Sequence, residues 1–190
     1  GTSDAVDLYN SATRAWSTAR LSLARAALSA ASVGNVAIFA GGSWGCCDLH
    51  NAVDLYNSAT GAWSTAQLAV ARFWLAATSV GNFAIFVGGR VGGSDPTNAV
   101  ALYDAATGTW STAQLSVARF KIAATTSGNV AIFAGGTNTD THYKTVDLYT
   151  IPMYRVSSVL FVIASSDRIA GKASVPVTLS FTPTTPLPSG

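Results

Sequence analysis

The stretch 51–98, NAVDLYNSATGAWSTAQLAVARFWLAATSVGNFAIFVGGRVGGSDPTN, is a copy of its neighbours. It matches the preceding residues from Asp4 onward and the following ones from Asn98. Tyr9, Tyr56 and Tyr103 recur 47 residues apart, as do Trp16, Trp63 and Trp110, and the pairs Gly41-Gly42, Gly88-Gly89 and Gly135-Gly136. Self-similarity at a fixed period of this size means stacked copies of one supersecondary unit. That constraint outranks any local reading.

Each copy carries four segments of strand character. In the second copy, Ala52 to Tyr56 alternates apolar and polar, as a half-buried strand does. Asn57 to Gly61 reads as a turn, and Ala62 to Ala66 as the next strand. Arg72 to Ser79 is mostly apolar and reads as a strand covered on both faces. Gly81-Asn82 marks a tight hairpin, and Phe83 to Val87 a strand closed by Gly88-Gly89. Arg90 to Thr97 reads as a loop. Composition agrees: every acidic side chain is Asp, Glu is absent, and Gly, Ser, Thr, Val and aromatics replace strong helix formers.

The Gly-Gly pair, a strand ending in Tyr, and Trp seven residues later together resemble the Kelch repeat over residues 4–149. The resemblance implies an all-β fold of Kelch-type β-propeller blades, each a four-stranded antiparallel sheet with strands A to D. Strands C and D of a first blade fall at 4–20. Complete blades follow at about 25–67 and 72–114, and a partial blade ends at 119–149 with Tyr149. A closed propeller takes about four to eight blades, so an incomplete ring or open arc is expected, a piece of a longer propeller. A homodimer closing one ring, 119–136 of one chain pairing with 4–20 of its partner, is the alternative. From Thr150 the repeat stops. Residues 150–190 read as a non-repeat tail, extended or disordered at its Pro-, Thr- and Ser-rich end, with one candidate strand at Val156 to Ser165.

The glycines suit places where a Cβ would clash. The repeated Tyr and Trp are expected to fill the gaps between blades. A buried Trp removes roughly 150–250 Å² from water, worth at most ~4–6 kcal/mol.

The blade layout puts the B–C loops and D–A connections on one face, and that is where the copies diverge. The B–C loops read SWGCCDLH (43–50), RVGGSDPT (90–97) and TNTDTHY (137–143), while the A–B turns barely change. Variation on a rigid scaffold is where binding specificity resides. Candidate binding residues are Trp44, Arg90, Asp48, Asp95, Asp140 and His142 from the loops. Arg25, Arg72 and Arg119 recur at the start of strand A and read either as an anion clamp or as structural arginines bonding loop carbonyls or an Asp. Two residues on, Ala27, Trp74 and Lys121 change from copy to copy and are the better specificity candidates.

Scattered basic residues and a net charge of +2 give no nucleic-acid or anionic-membrane surface. Apolar runs such as Val159 to Ala164 are too short to span a bilayer. Cys46-Cys47 with His50 lacks zinc spacing, and an adjacent-Cys disulfide would be strained. No cofactor or metal is expected. The Kelch resemblance implies a non-catalytic module for a protein or peptide partner. The alternative is a fragment of a propeller enzyme, a carbohydrate oxidase or hydrolase with its catalytic residues outside this chain. The copper oxidases of this propeller type use Tyr, His and a Cys-linked Tyr, and His50, His142, Tyr143 and Cys46 do not reproduce that spacing.

Overall fold

Strand follows strand at hairpin spacing throughout, and the described residues contain no helix. The computed structural model describes residues 2–45, 48–92 and 95–151. Cys46, Cys47 and the candidate strand at Val156 to Ser165 lie outside them.

In chain order the strands are β1 (Ala5–Asn10), β2 (Ala15–Arg20), β3 (Ser29–Val33), β4 (Val36–Ala40), β5 (Ser43–Trp44), β6 (Asp48–Leu49), β7 (Ala52–Asn57), β8 (Ala62–Gln67) and β9 (Ala76–Val80). They continue as β10 (Phe83–Val87), β11 (Arg90–Val91), β12 (Asp95–Pro96), β13 (Ala99–Asp104), β14 (Thr109–Gln114), β15 (Ala123–Ser127), β16 (Val130–Ala134) and β17 (Val146–Thr150). Two four-stranded antiparallel sheets result, in the orders β3-β4-β7-β8 and β9-β10-β13-β14. A two-stranded sheet, β1-β2, precedes them and a three-stranded one, β15-β16-β17, follows. These are blades of an incomplete propeller, and the described strands form no closed barrel.

Hairpin chemistry sets the register. Val80 pairs with Phe83 across Gly81-Asn82, and Gly81 supplies the positive φ of 54° that the two-residue turn needs. At the neighbouring C–D turns the side chains of Asn10, Asn57 and Asp104 accept the N–H two residues on, holding each hairpin.

Between blades the glycine pairs decide the approach. Gly42 N–H donates to the Arg72 carbonyl (2.9 Å) and Gly89 N–H to the Arg119 carbonyl (3.0 Å), each joining one blade to the chain entering the next. A Cβ on Gly41 would stand 2.5 Å from the Arg72 oxygen, and one on Gly88 2.4 Å from the Arg119 oxygen. Apolar side chains fill the remaining gaps. Ile38, Val53, Leu55 and Leu68 meet Leu75, Ala84, Phe86 and Ala101 between the first two complete blades. Val87, Val100 and Leu115 meet Ile122, Ala131 and Phe133 at the next gap. The innermost strands also touch through a 2.9 Å contact between the Thr78 and Thr126 hydroxyls.

Two expectations change. The apolar run Arg72 to Ser79 is not one strand. β9 begins only at Ala76, because Trp74 has a φ of +53° and interrupts the extended chain. Nor is the repeated Trp a core residue. Trp63 and Trp110 are half-buried and Trp16 is 69% exposed. Each Trp faces the Tyr of its own hairpin, with ring centroids 5.1 Å (Tyr9–Trp16), 5.0 Å (Tyr56–Trp63) and 5.2 Å (Tyr103–Trp110) apart. Strand D is the outer edge of the blade, so its Trp has cover on one side only. Apart from Arg72 and Arg119, the largest fully buried side chains are Phe86 and aliphatic residues on strands B and C. Tyr103 and Trp110 still border the gap between the first two complete blades.

The close approach gives a testable contrast between glycines. Gly88→Ala should cost about 3 kcal/mol, from a clash with backbone added to left-handed strain. Gly108→Ala, in the open β13–β14 turn with a φ of +70° and nothing within 4 Å, should cost only about 1 kcal/mol. Chemical denaturation of the two variants checks both.

Candidate binding face

Each D–A connection is bridged to the B–C loop of its own blade. Ala26 pairs with Ser43, Phe73 with Arg90 and Phe120 with Thr137 through reciprocal backbone hydrogen bonds. The residue after each bridge, Ala27, Trp74 or Lys121, has a φ of 53–54°. For a non-glycine residue that conformation costs roughly 1–2 kcal/mol. It recurs in every copy because neighbouring connections lock together: Trp74 N–H donates to the Ala27 carbonyl (3.0 Å) and Lys121 N–H to the Trp74 carbonyl (3.4 Å). The three positions expected to carry specificity are thus laid side by side.

Around the second of them an aromatic and cationic cluster forms. Trp74 contacts Phe73 (4.8 Å between centroids) and stacks on Phe120 (5.7 Å, 23° between planes). The Arg90 guanidinium carbon lies 5.6 Å, 5.4 Å and 5.1 Å from the ring centres of Phe73, Trp74 and Phe120. Lys121 Nζ is 4.9 Å from the Trp74 ring. In the first copy the same places hold Ala26, Ala27 and Ser43, so the cluster belongs to one junction. Sequence reading singles out Trp74, Arg90 and Lys121 but misses Phe73 and Phe120. Their signal is the residue following each repeated Arg, where the first copy has only Ala. Trp74 remains 38% exposed, so the cluster offers an apolar plate with two cations beside it.

Other candidates are more dispersed. Trp44, on β5, is 63% exposed. Asp48, Asp95, Asp140 and His142 are exposed on their loops. Asp48 reaches only His50, at 3.9 Å, and no group of three or more His, Cys, Asp or Glu side chains gathers as a metal site among the described residues.

Arg25, Arg72 and Arg119 are not on this face, a correction to their placement as binding residues. They are 2%, 1% and 0% exposed and lie beneath it. Their Nη2 atoms donate to the strand-B carbonyls of Phe39 (3.1 Å), Phe86 (3.3 Å) and Phe133 (3.2 Å). Arg25 and Arg119 each form a 2.7 Å ion pair, with Asp54 and Asp147 on strand C. The same carboxylates accept the N–H of Ser22 (2.9 Å) and Ser116 (3.1 Å). Burial acts to raise the Asp147 carboxyl, but hydrogen bonds from Ser116 and the Arg119 charge outweigh it and hold the group below its usual value. Arg72 has no such carboxylate among the described residues, and burial lowers it to about 10, still charged at neutral pH.

The fold and this face define an all-β, propeller-bladed protein with one variable end. A comparison of the sequence with protein-family models and with curated proteins finds no match.

Two predictions follow from the strain and the charge. Ala27→Gly should stabilise the fold by about 0.5–1 kcal/mol, relief of left-handed strain being partly offset by glycine entropy; denaturant midpoints measure this. Because Asp147 is depressed below its ordinary 3.8, its contribution is complete above that pH and disappears as pH falls through the lower folded value. Asp147→Asn should therefore show a smaller drop in Tm than the parent between about pH 5 and about pH 2.5.

Proposed function

We propose that this chain is a non-catalytic protein-interaction module of Kelch type, binding a protein or peptide through its B–C loops and D–A connections. The observation that carries the reading is the cluster of Phe73, Trp74, Phe120, Arg90 and Lys121 on the variable end of the blades. Aromatic side chains and Arg are the residues that dominate interface energies, and a few of them suffice. Recurrence of Gly-Gly, Tyr and Trp at fixed offsets within four-stranded units supports the Kelch assignment. The Lys121 charge favours a segment with an acidic residue, and the exposed Trp74 favours an apolar or aromatic one beside it.

Peptides selected from a random displayed library on the full chain test this reading. Binding should weaken at least about tenfold, or ~1.4 kcal/mol, in Trp74→Ala and Lys121→Ala. It should be unchanged in Asn35→Ala and Asn82→Ala, at the opposite turns, with thermal melts confirming that all four variants fold. Peptides that ignore the first pair and are lost with the second would place binding at the other end of the blades.

A further inference from the structure

The buried arginine of the second complete blade lacks the partner that its equivalents have. Strand C reads VDLY at 53–56 and 146–149 but VALY at 100–103. Ala101 therefore occupies the position of Asp54 and Asp147. Arg72 is 1% exposed and forms no ion pair among the described residues, whereas Arg25 and Arg119 each have a carboxylate at 2.7 Å. Two donors converge on the missing group. One is the Arg72 guanidinium, whose Nη2 is the equivalent of the Arg25 and Arg119 atoms that pair with aspartate. The other is the Ala69 N–H, at the register of the Ser22 and Ser116 amides that donate to aspartate.

A recess borders the position that the carboxylate holds in the other blades. A recess of about 510 Å³ is lined by Arg72, Ala69, Ala101, Asn98, Thr112 and Gln114, among others. Arg72 is the only charged side chain in its lining. Backbone dipoles partly compensate it: Nη1 donates to the Ala99 carbonyl, which also accepts the Gly88 N–H at 2.9 Å. Arg25 Nη1 donates instead to the Leu23 carbonyl at 3.3 Å. Carbonyls carry no net charge, so a buried guanidinium held by them alone still favours an anion. A planar group with two oxygens matches a guanidinium better than a spherical ion does.

We propose that this recess binds a small carboxylic acid as its carboxylate, one end of which takes the place of the absent aspartate between Arg72 and the Ala69 N–H. The remainder of the ligand lies along Thr112 and Gln114, which offer a hydroxyl and an amide. The recess draws Ala69 and Arg72 from the same D–A connection as Trp74 but shares no residue with the aromatic cluster, and its test does not involve the peptide partner.

The test is titration of the full chain with acetate, followed by ¹H–¹⁵N spectra, with acetamide as the uncharged analogue of the same shape and sodium chloride as the salt control. The expected result is a saturable shift of the Ala69 amide and Arg72 Nε–H signals, with a dissociation constant on the order of a millimolar for so small a ligand. Acetamide and chloride should not reproduce it. Ala101→Asp should raise the Tm, since it restores the arrangement of the neighbouring blades, and should weaken acetate binding at least about tenfold by occupying its place. Ala101→Leu, which occupies the carboxylate's place without charge, should also lose acetate binding. An aspartyl peptide that shifts these signals when acetate does not would assign the site to a partner's side chain and overturn the free-acid proposal. Absence of a saturable acetate shift, equal effects of acetate and acetamide, unchanged binding in Ala101→Asp, or an Ala101→Asp chain less stable than the parent would each overturn it.

Discussion

Neighbouring blades meet backbone to backbone at the glycine pairs. The Gly42 and Gly89 amides bond the carbonyls of Arg72 and Arg119, the residues that lead into the following blade. With a Cβ at the adjacent Gly41 or Gly88 those carbonyls would lie well inside contact distance. Everything else at the seams follows from this spacing. It brings strands β9 and β15 close enough for the Thr78 and Thr126 hydroxyls to touch, and it closes the aliphatic layers around Ile38, Ile85 and Phe86. It also makes the side chain of the arginine turn inward while its carbonyl faces the previous blade.

That inward arginine joins strands within a blade. Arg25 and Arg119 each tie strand B, through a carbonyl, to strand C, through an aspartate. Breaking such a buried pair by removing one partner generally costs several kcal/mol, because the remaining charge is stranded. The second blade has lost its aspartate and kept its arginine. The stability of that blade rests on backbone carbonyls around Arg72 and on the apolar packing of Ala101 with its neighbours.

Above the arginines, the chain uses strain to present variable residues. A left-handed non-glycine residue recurs at the same register in each connection, held by hydrogen bonds from one connection to the next. Strain of this kind persists only where surrounding structure over-determines it. Ala27, Trp74 and Lys121 can differ freely in side chain because the backbone conformation is maintained by the bridges on either side.

Much of the architecture was legible in the residues. The period of 47, the Asx and Gly turns and the alternation along strand C were enough to locate both complete blades and their hairpins. Alignment of the copies also held the change from Asp to Ala at position 101, although its meaning depends on a partner 29 residues away in sequence. Periodicity could not tell that the Arg72 to Ser79 run is broken by a left-handed Trp74, since apolar residues suit a strand and a bridged turn alike. Nor could it place the repeated Trp at a blade edge, because size and hydrophobicity do not say which side of a sheet will be covered. The sequence by itself determined the unit, its number of copies and the positions that vary. Only tertiary structure decided that the recurring arginines are buried rather than displayed, and that Phe73, Trp74, Phe120, Arg90 and Lys121 share one surface. The physical reason is that burial and side-chain contact depend on how one blade lies against the next, which no single copy encodes.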